Sequence, residues 1–233
     1  MPDSYLIRPA AVHGRSRPLE SRLRGTGRVA DDLFLMAHDD RSGRPLLASR
    51  PLGLGLAAGL LAELMLGNRP ALRTGPDGAL RIAGEVRQTA IAAHPLLRLV
   101  AAEPQLHPVP DWLAFLAISA ARDVGARLEQ AGYLTRVQRR LPGRPARLVP
   151  ADSSWAFAPV SRVIAALDPR RRREPYTAAL AGLADASGLG FRLDQYTAAA
   201  RSIETAVSHL TPDLQALIGH TRNTVATAVQ SRP

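Results

Sequence analysis

The hydrophobic pattern is centred on one run. From Leu52 to Leu66 the chain reads LGLGLAAGLLAELML, apolar on nearly every helical face, with Glu63 as its one formal charge. A membrane span needs about 20 apolar residues. Arg50 and Pro51 close this run on one side, and Gly67, Asn68, Arg69 and Pro70 close it on the other. The glycines at 53, 55, 59 and 67 lower its hydrophobicity further. The pattern therefore predicts a buried central helix, not a span. Gly55, Ala58, Gly59 and Ala62 would let neighbouring helices approach closely. Before it, Leu33, Phe34, Met36 and Ala37 recur at helical spacing, which predicts a first helix from Ala30. Asp31 and Asp32 sit near its start, where the helix dipole favours negative charge. Asp39, Asp40, Ser42 and Gly43 supply turn chemistry. Pro45 to Ala48 is too short to assign.

Beyond the central run, ALRTGPDGALRI (Ala71 to Ile82) reads as a small hairpin around T-G-P-D-G. Glu85 to Ile91 is ambiguous. His94 to Glu103 is a short helix with Leu96, Leu97, Val100 and Ala101 on one face. Asp111 to Ala131 is helical, with room for a bend, and Gly132 suits its C-cap. In Tyr133 to Pro150, Pro142, Gly143 and Pro145 forbid a helix, which leaves a second hairpin. Ser153 to Leu167 is helical, with Pro159 marking a start or kink. Three helices close the chain: Tyr176 to Ser187, Asp194 to Leu210, and Pro212 to Gln230. The expected fold class is mainly α: a single-domain helical bundle around a buried central helix, with one or two small β-hairpins. Residues 1–27 read as a basic flexible N-terminal tail, and 28–233 as the helical domain.

Charge adds a second picture. The formal net charge is +10, and all 30 basic residues are arginine. Such a balance attracts polyanions, either nucleic acid or an anionic membrane surface. Arginine grips phosphate through a planar fork of donors. The hairpin segment carries Arg136, Arg139, Arg140, Arg144 and Arg147, and no acidic residue interrupts it. Asp168 to Pro175 (DPRRRREP) is a further basic connection. The tail adds Arg8, Arg15, Arg17, Arg22 and Arg24 against Asp3 and Glu20, as a solvated leader or an anion-binding arm. There is no cysteine, hence no disulfide framework or thiolate metal site. No apolar signal region stands at the N-terminus, so a cytoplasmic protein is expected.

Catalytic grammar is missing. Gly53 to Leu56 (G-L-G-L) lies inside an apolar run, without a third glycine or a preceding long strand. Histidines 13, 38, 94, 107, 209 and 220 have no paired metal-ligand spacing. The pairs Asp31–Asp32 and Asp39–Asp40 read as a helix start and a turn. Ser153–Ser154 lacks the G-x-S-x-G frame. No catalytic residue, metal or cofactor is expected, and the chain reads as a non-enzyme.

Three stretches carry a resemblance. Asp40, Arg41 and Gly43 form D-R-x-G after the first helix, followed by Gly55, Leu56, Leu61, Glu63 and Leu64. L-E-Q-A-G-Y-L (Leu128 to Leu134) leads into the hairpin, and A-L-A-G-L-A-D-A-S-G-L (Ala179 to Leu189) lies between helices. In order and spacing the chain resembles the Golgi phosphoprotein 3 family over roughly residues 28 to 230, as a divergent bacterial member. The resemblance implies a mainly helical fold that binds phosphatidylinositol 4-phosphate in a surface pocket, beside a hairpin whose apolar tip enters the bilayer. Eukaryotic members sit on the Golgi and recruit cargo enzymes and coat proteins. The family's pocket tryptophan and three arginines fall on Ala48, Ala57, Ile118 and Ala121, so none matches. Arg44, Arg50, Arg122 and Arg127 are nearby substitutes for the lipid headgroup. Arg136, Arg139, Arg140, Leu141, Arg144 and Arg147 form the expected membrane hairpin.

The expected function is a non-enzymatic peripheral membrane protein that binds anionic phospholipid, reversibly, at the cytoplasmic face of the membrane. A protein partner through the basic tail is a further expectation. The alternative is a basic nucleic-acid-binding or protein-interaction adaptor module. Aromatics argue against single-strand stacking, because Trp112 and Trp155 fall in helix patterns and the basic hairpin contains only Tyr133.

Overall fold

Two helices set the frame. Helix α1 (Val29–Met36) lies against the central helix α2 (Ser49–Met65); all of α1 is buried, and so is most of α2 beyond its exposed Ser49 and Arg50. A Cβ placed on Gly59 would lie 2.8 Å from the Cα of Ala30, and one on Gly55 would collide with the Ser187 hydroxyl. The small residues of α2 are therefore contact points. The computed structural model describes residues 25–67, 70–84, 86–103, 105–138, 146–168, 174–194 and 199–231.

Around α2 pack α5 (Val109–Leu116), α6 (Ala120–Gln130), α8 (Pro175–Ala186) and α11 (Pro212–Gln230). Helix α7 (Ser153–Ala166) covers α1. Its N-terminus is capped by Asp152, which accepts from the Ser154 amide at 2.9 Å. Pro159 lies inside α7 without ending it. Short helices α3 (Gln88–Ala93), α4 (Pro95–Ala102), α9 (Gly190–Asp194) and α10 (Ala199–Val207) fill the periphery. Strands β1 (Leu72–Thr74) and β2 (Leu80–Ile82) pair antiparallel, as do β3 (Leu134–Val137) and β4 (Arg147–Pro150).

The mainly α, single-domain bundle with two hairpins is the expected class. Three boundaries differ. The Asp111–Ala131 helix is two helices, broken at residues 117–119. The ambiguous Glu85–Ile91 stretch contains the start of α3. The Asp194–Leu210 helix ends at Val207 in α10, and residues 195–198 lie outside the described residues. Residues 25–27 also depart from the tail reading, because Thr26 is tied into the core, while residues 1–24 lie outside the described residues.

The tie is a buried charge network. Asp32 has no exposed surface. It accepts from the Tyr176 hydroxyl at 2.8 Å, from the Thr26 amide and hydroxyl at 3.0 and 2.9 Å, and from the Arg162 guanidinium. Arg162 also lies over the Tyr176 ring, 5.1 Å from its centroid. Asp31 accepts from Arg127 Nε at 2.8 Å and Nη2 at 2.5 Å. Arg127 reaches Glu63 at 3.3 Å, and Glu63 accepts the Ala30 amide at 3.0 Å. Five helices thus meet on three carboxylates. Asp31 and Asp32 are in the first turn of α1 as expected, but the reading of them as a simple helix start is corrected: both are buried ionic partners.

Burial pushes the carboxyls of Asp31 and Glu63 above their ordinary range, against the pull of Arg127. The Tyr176 hydroxyl is also pushed up, chiefly by burial and then by the Asp32 charge.

Three stability outcomes follow from this packing. Gly59→Leu is expected to cost about 1–3 kcal/mol by overpacking against Ala30; an unchanged urea midpoint would contradict the close contact. Asp32→Ala strands Arg162 and is expected to cost about 3–5 kcal/mol, read as a lower melting temperature. For Glu63, a folded-state carboxyl raised above its ordinary 4.5 means that the folded protein binds the proton more readily than the unfolded chain. Its contribution to stability is thus present at low pH and is lost as pH rises through the raised value. Glu63→Gln should therefore gain stability relative to the parent as pH increases from below to above 4.5, in denaturant titrations at matched pH.

Candidate anion-binding site

The loop between α1 and α2 is built by its turn residues. The Asp39 carboxylate accepts from the Ser42 amide at 2.7 Å and the Ser42 hydroxyl at 2.6 Å, which holds it below the usual carboxylate range. Gly43 has φ of 61°, and a Cβ there would strike the Leu148 carbonyl of β4. The D-R-x-G sequence therefore seats the loop on the root of the second hairpin. Arg44 follows and is exposed. The loop ends at Ala48, which enters α2 in an extended conformation.

Ala48 offers no side-chain cap, and the first turn of α2 contains no acidic residue. The leading amides of α2, from Ser49 and Arg50, thus carry the positive end of the helix dipole without a capping carboxylate. The last turns of α11 lie opposite. Between them is a concavity of about 710 Å³. It is lined by Ala48, Ser49, Arg50 and Pro51 from α2, and by Asn223, Thr224, Thr227, Ala228, Val229 and Ser231 from the end of α11. No carboxylate lines it among the described residues. The hydroxyls of Thr224, Thr227 and Ser231 donate back to α11 carbonyls at 2.8, 3.0 and 2.8 Å. Other donors in the lining are the α2 amides, the Ser49 hydroxyl, the Asn223 carboxamide and the Arg50 fork. That combination suits a phosphate.

The structure sorts the expected arginines. Arg50 lines the concavity, and Arg44 stands exposed at the hairpin root. The Arg122 side chain is 79% exposed and touches Asp123 at 3.0 Å, a weak surface pair. Arg127 is not a headgroup residue: its fork is held between Asp31 and Glu63 inside the network. In the hairpin, whose own segment holds no acidic residue, Arg136 makes a double hydrogen bond to Glu129 of α6 at 2.9 and 2.5 Å and so has an acidic partner from outside it. Arg147 is half-buried in β4, opposite Val137. Arg139, Arg140, Leu141 and Arg144 lie outside the described residues.

The family pocket positions also separate. Ala48 lines the concavity, Ala57 is wholly buried in α2, and Ala121 is half-buried. Ile118 is 84% exposed at the break between α5 and α6. Two contributions escaped the sequence reading. One is the wall from α11, roughly 175 residues from Ala48 in the chain, with no local signal. The other is Arg192, whose guanidinium donates to the Met36 and His38 carbonyls at 3.1 and 3.4 Å and closes the end of α1.

Comparison with the curated proteins finds none that matches. The family model described as Golgi phosphoprotein 3 (GPP34) matches residues 29–230. That span runs from the first residue of α1 to the last residue of α11 and takes in the D-R-x-G loop, the central helix and the second hairpin. The chain belongs to the Golgi phosphoprotein 3 family.

Proposed function

We propose that this protein is a non-catalytic peripheral membrane protein that binds the phosphate headgroup of an anionic lipid at the N-terminal end of α2. The observation that carries the reading is the concavity itself, where an uncapped helix start and the Arg50 fork face a wall without carboxylates among the described residues. Family membership supports the same ligand class, since the resemblance implies phosphoinositide binding at this end of the central helix. Arg44 and Arg122 add exposed positive charge, and the net charge of +10 favours approach to an anionic surface. Arg139, Arg140 and Arg144, between β3 and β4 in the chain, add a further polybasic segment. With Ala48, Ala57, Ile118 and Ala121 at the family's recognition positions, the reading is selectivity for anionic phosphate over neutral lipid, with less discrimination among phosphoinositides. Among the described residues no helix is long and apolar enough to cross a membrane, so attachment would be to one face.

The test is co-sedimentation with phosphatidylcholine vesicles containing phosphatidylserine or phosphatidylinositol 4-phosphate, over a salt series. Arg50→Ser is expected to weaken binding by about 1.5–3 kcal/mol, the range for a charged hydrogen bond. Replacing Arg139, Arg140 and Arg144 with serine is expected to flatten the salt dependence, at about 1 kcal/mol per arginine. If Arg50→Ser binds both vesicle types like the parent, the α2 end is not the headgroup site.

A further inference from the structure

The connection between α4 and α5 closes a second concavity, of about 200 Å³. Leu99 of α4, Glu103 and His107 of the connection, and Asp111, Trp112 and Phe115 of α5 line it. The α5 residues share a face because positions three and four apart are neighbours on a helix. The rings form a corner. Phe115 meets Trp112 at 90° with centroids 6.2 Å apart, and His107 meets Trp112 at 80° and 6.4 Å. Trp112 is the buried wall, 6% exposed, whereas Phe115 is 55% exposed and Leu99 is 37% exposed. The Trp112 indole N–H is buried and has no acceptor among the described residues. A buried donor in that state calls for a partner.

The charge of this concavity runs against that of the chain. The formal net charge is +10, yet the lining holds two carboxylates and, among the described residues, no arginine. The Glu103 carboxylate lies 3.4 Å from His107 Nε2. Asp111, exposed in the first turn of α5, has no side-chain partner among the described residues. Ring faces beside an unpaired carboxylate attract a cation. Counting donors decides which kind. A hard metal ion takes several oxygen ligands, and no group of three or more His, Asp or Glu that could hold a metal occurs among the described residues. A guanidinium brings five N–H donors and a primary ammonium three, more than one unpaired carboxylate satisfies against apolar walls. A quaternary ammonium brings the charge without any N–H donor, and its methyl groups pack on the rings and on Leu99.

We propose that the concavity between α4 and α5 binds a quaternary methylammonium group of the kind choline carries, with Trp112 and Phe115 as aromatic walls and Asp111 as the counter-charge. Its volume of about 200 Å³ is below the roughly 300–1,000 Å³ of drug-sized pockets, which suits a ligand of few heavy atoms. The choline hydroxyl, two carbons from the nitrogen, is an acceptor for the indole N–H. The site shares no residue with the concavity at the start of α2 and takes the opposite charge, so either can fail without the other.

The full chain is titrated with choline chloride at constant ionic strength, and binding is read by saturation transfer to the choline methyl resonance. The tert-butyl analogue of choline, with carbon in place of the charged nitrogen, is the comparison. Choline is expected to bind saturably, and the uncharged analogue about 2- to 30-fold more weakly, the worth of a cation on an aromatic face. Asp111→Asn and Phe115→Leu are each expected to weaken choline binding over the same range. Both positions are exposed, so the far-ultraviolet circular dichroism should stay that of the parent. Neutral phosphatidylcholine vesicles that displace choline assign the group to a lipid headgroup, and failure to displace it assigns a free small molecule; bound choline supports the site in both cases. No saturable transfer to choline, or equal affinity for the uncharged analogue, overturns the proposal. So does parental choline affinity in either variant, which places binding elsewhere. If N-acetylarginine amide binds more tightly than choline, the occupant is an arginine of a basic peptide, and the proposal is overturned.

Discussion

The structure depends on how three carboxylates are held inside it. Asp31, Asp32 and Glu63 sit where α1 meets α2, the two aspartates buried and the glutamate partly so, with little water to solvate them. An isolated buried charge is very costly, so each must find partners. Arg127 arrives from α6, Arg162 from α7 and the Tyr176 hydroxyl from α8. The network therefore specifies which helices meet, beyond the general demand that apolar faces be covered. It also explains why Glu63 is the lone charge tolerated in the apolar run: its carboxylate accepts the Ala30 amide, a donor that the start of α1 cannot satisfy within its own helix.

The same demand divides the arginines into two populations. Those inside the fold, Arg127 and Arg162, are neutralised by buried carboxylates, and Arg192 is committed to the carbonyls that end α1. Among those left exposed, Arg44, Arg50 and Arg122 stand on the α1–α2 loop, the start of α2 and α6, while Arg41, Arg73, Arg87, Arg98, Arg201 and Arg222 are exposed elsewhere. Of the exposed arginines, Arg50 lies in the first turn of α2, whose own dipole has the same sign.

Close backbone approach ties this surface to the core. Gly43 lets the loop sit on β4, Gly53 lets the α5–α6 turn sit on α2, and Gly59 lets α1 sit on α2. Each glycine is a place where one added carbon would push a neighbouring segment away from its support. The concavity at the start of α2 and the α5–α6 turn thus lie on one element, the central helix.

The sequence by itself determined the helical class, the burial of Leu52–Leu66, both hairpins and the family. These signals are local: periodicity, turn chemistry and the spacing of short motifs survive without knowledge of what lies opposite. It also pointed to Arg50 beside the central run, which lines the concavity. What it could not determine was which charges face each other. Arg127 looked like Arg122 in the chain, five residues away on the same helix, yet one is clamped by Asp31 and Glu63 while the other projects into solvent. Arg136 likewise finds Glu129 on a neighbouring element. The wall that α11 contributes to the concavity and the exposure of Ile118 were equally hidden. Helical periodicity says which residues share a face, but only the packing of distant segments decides whether that face meets protein or water.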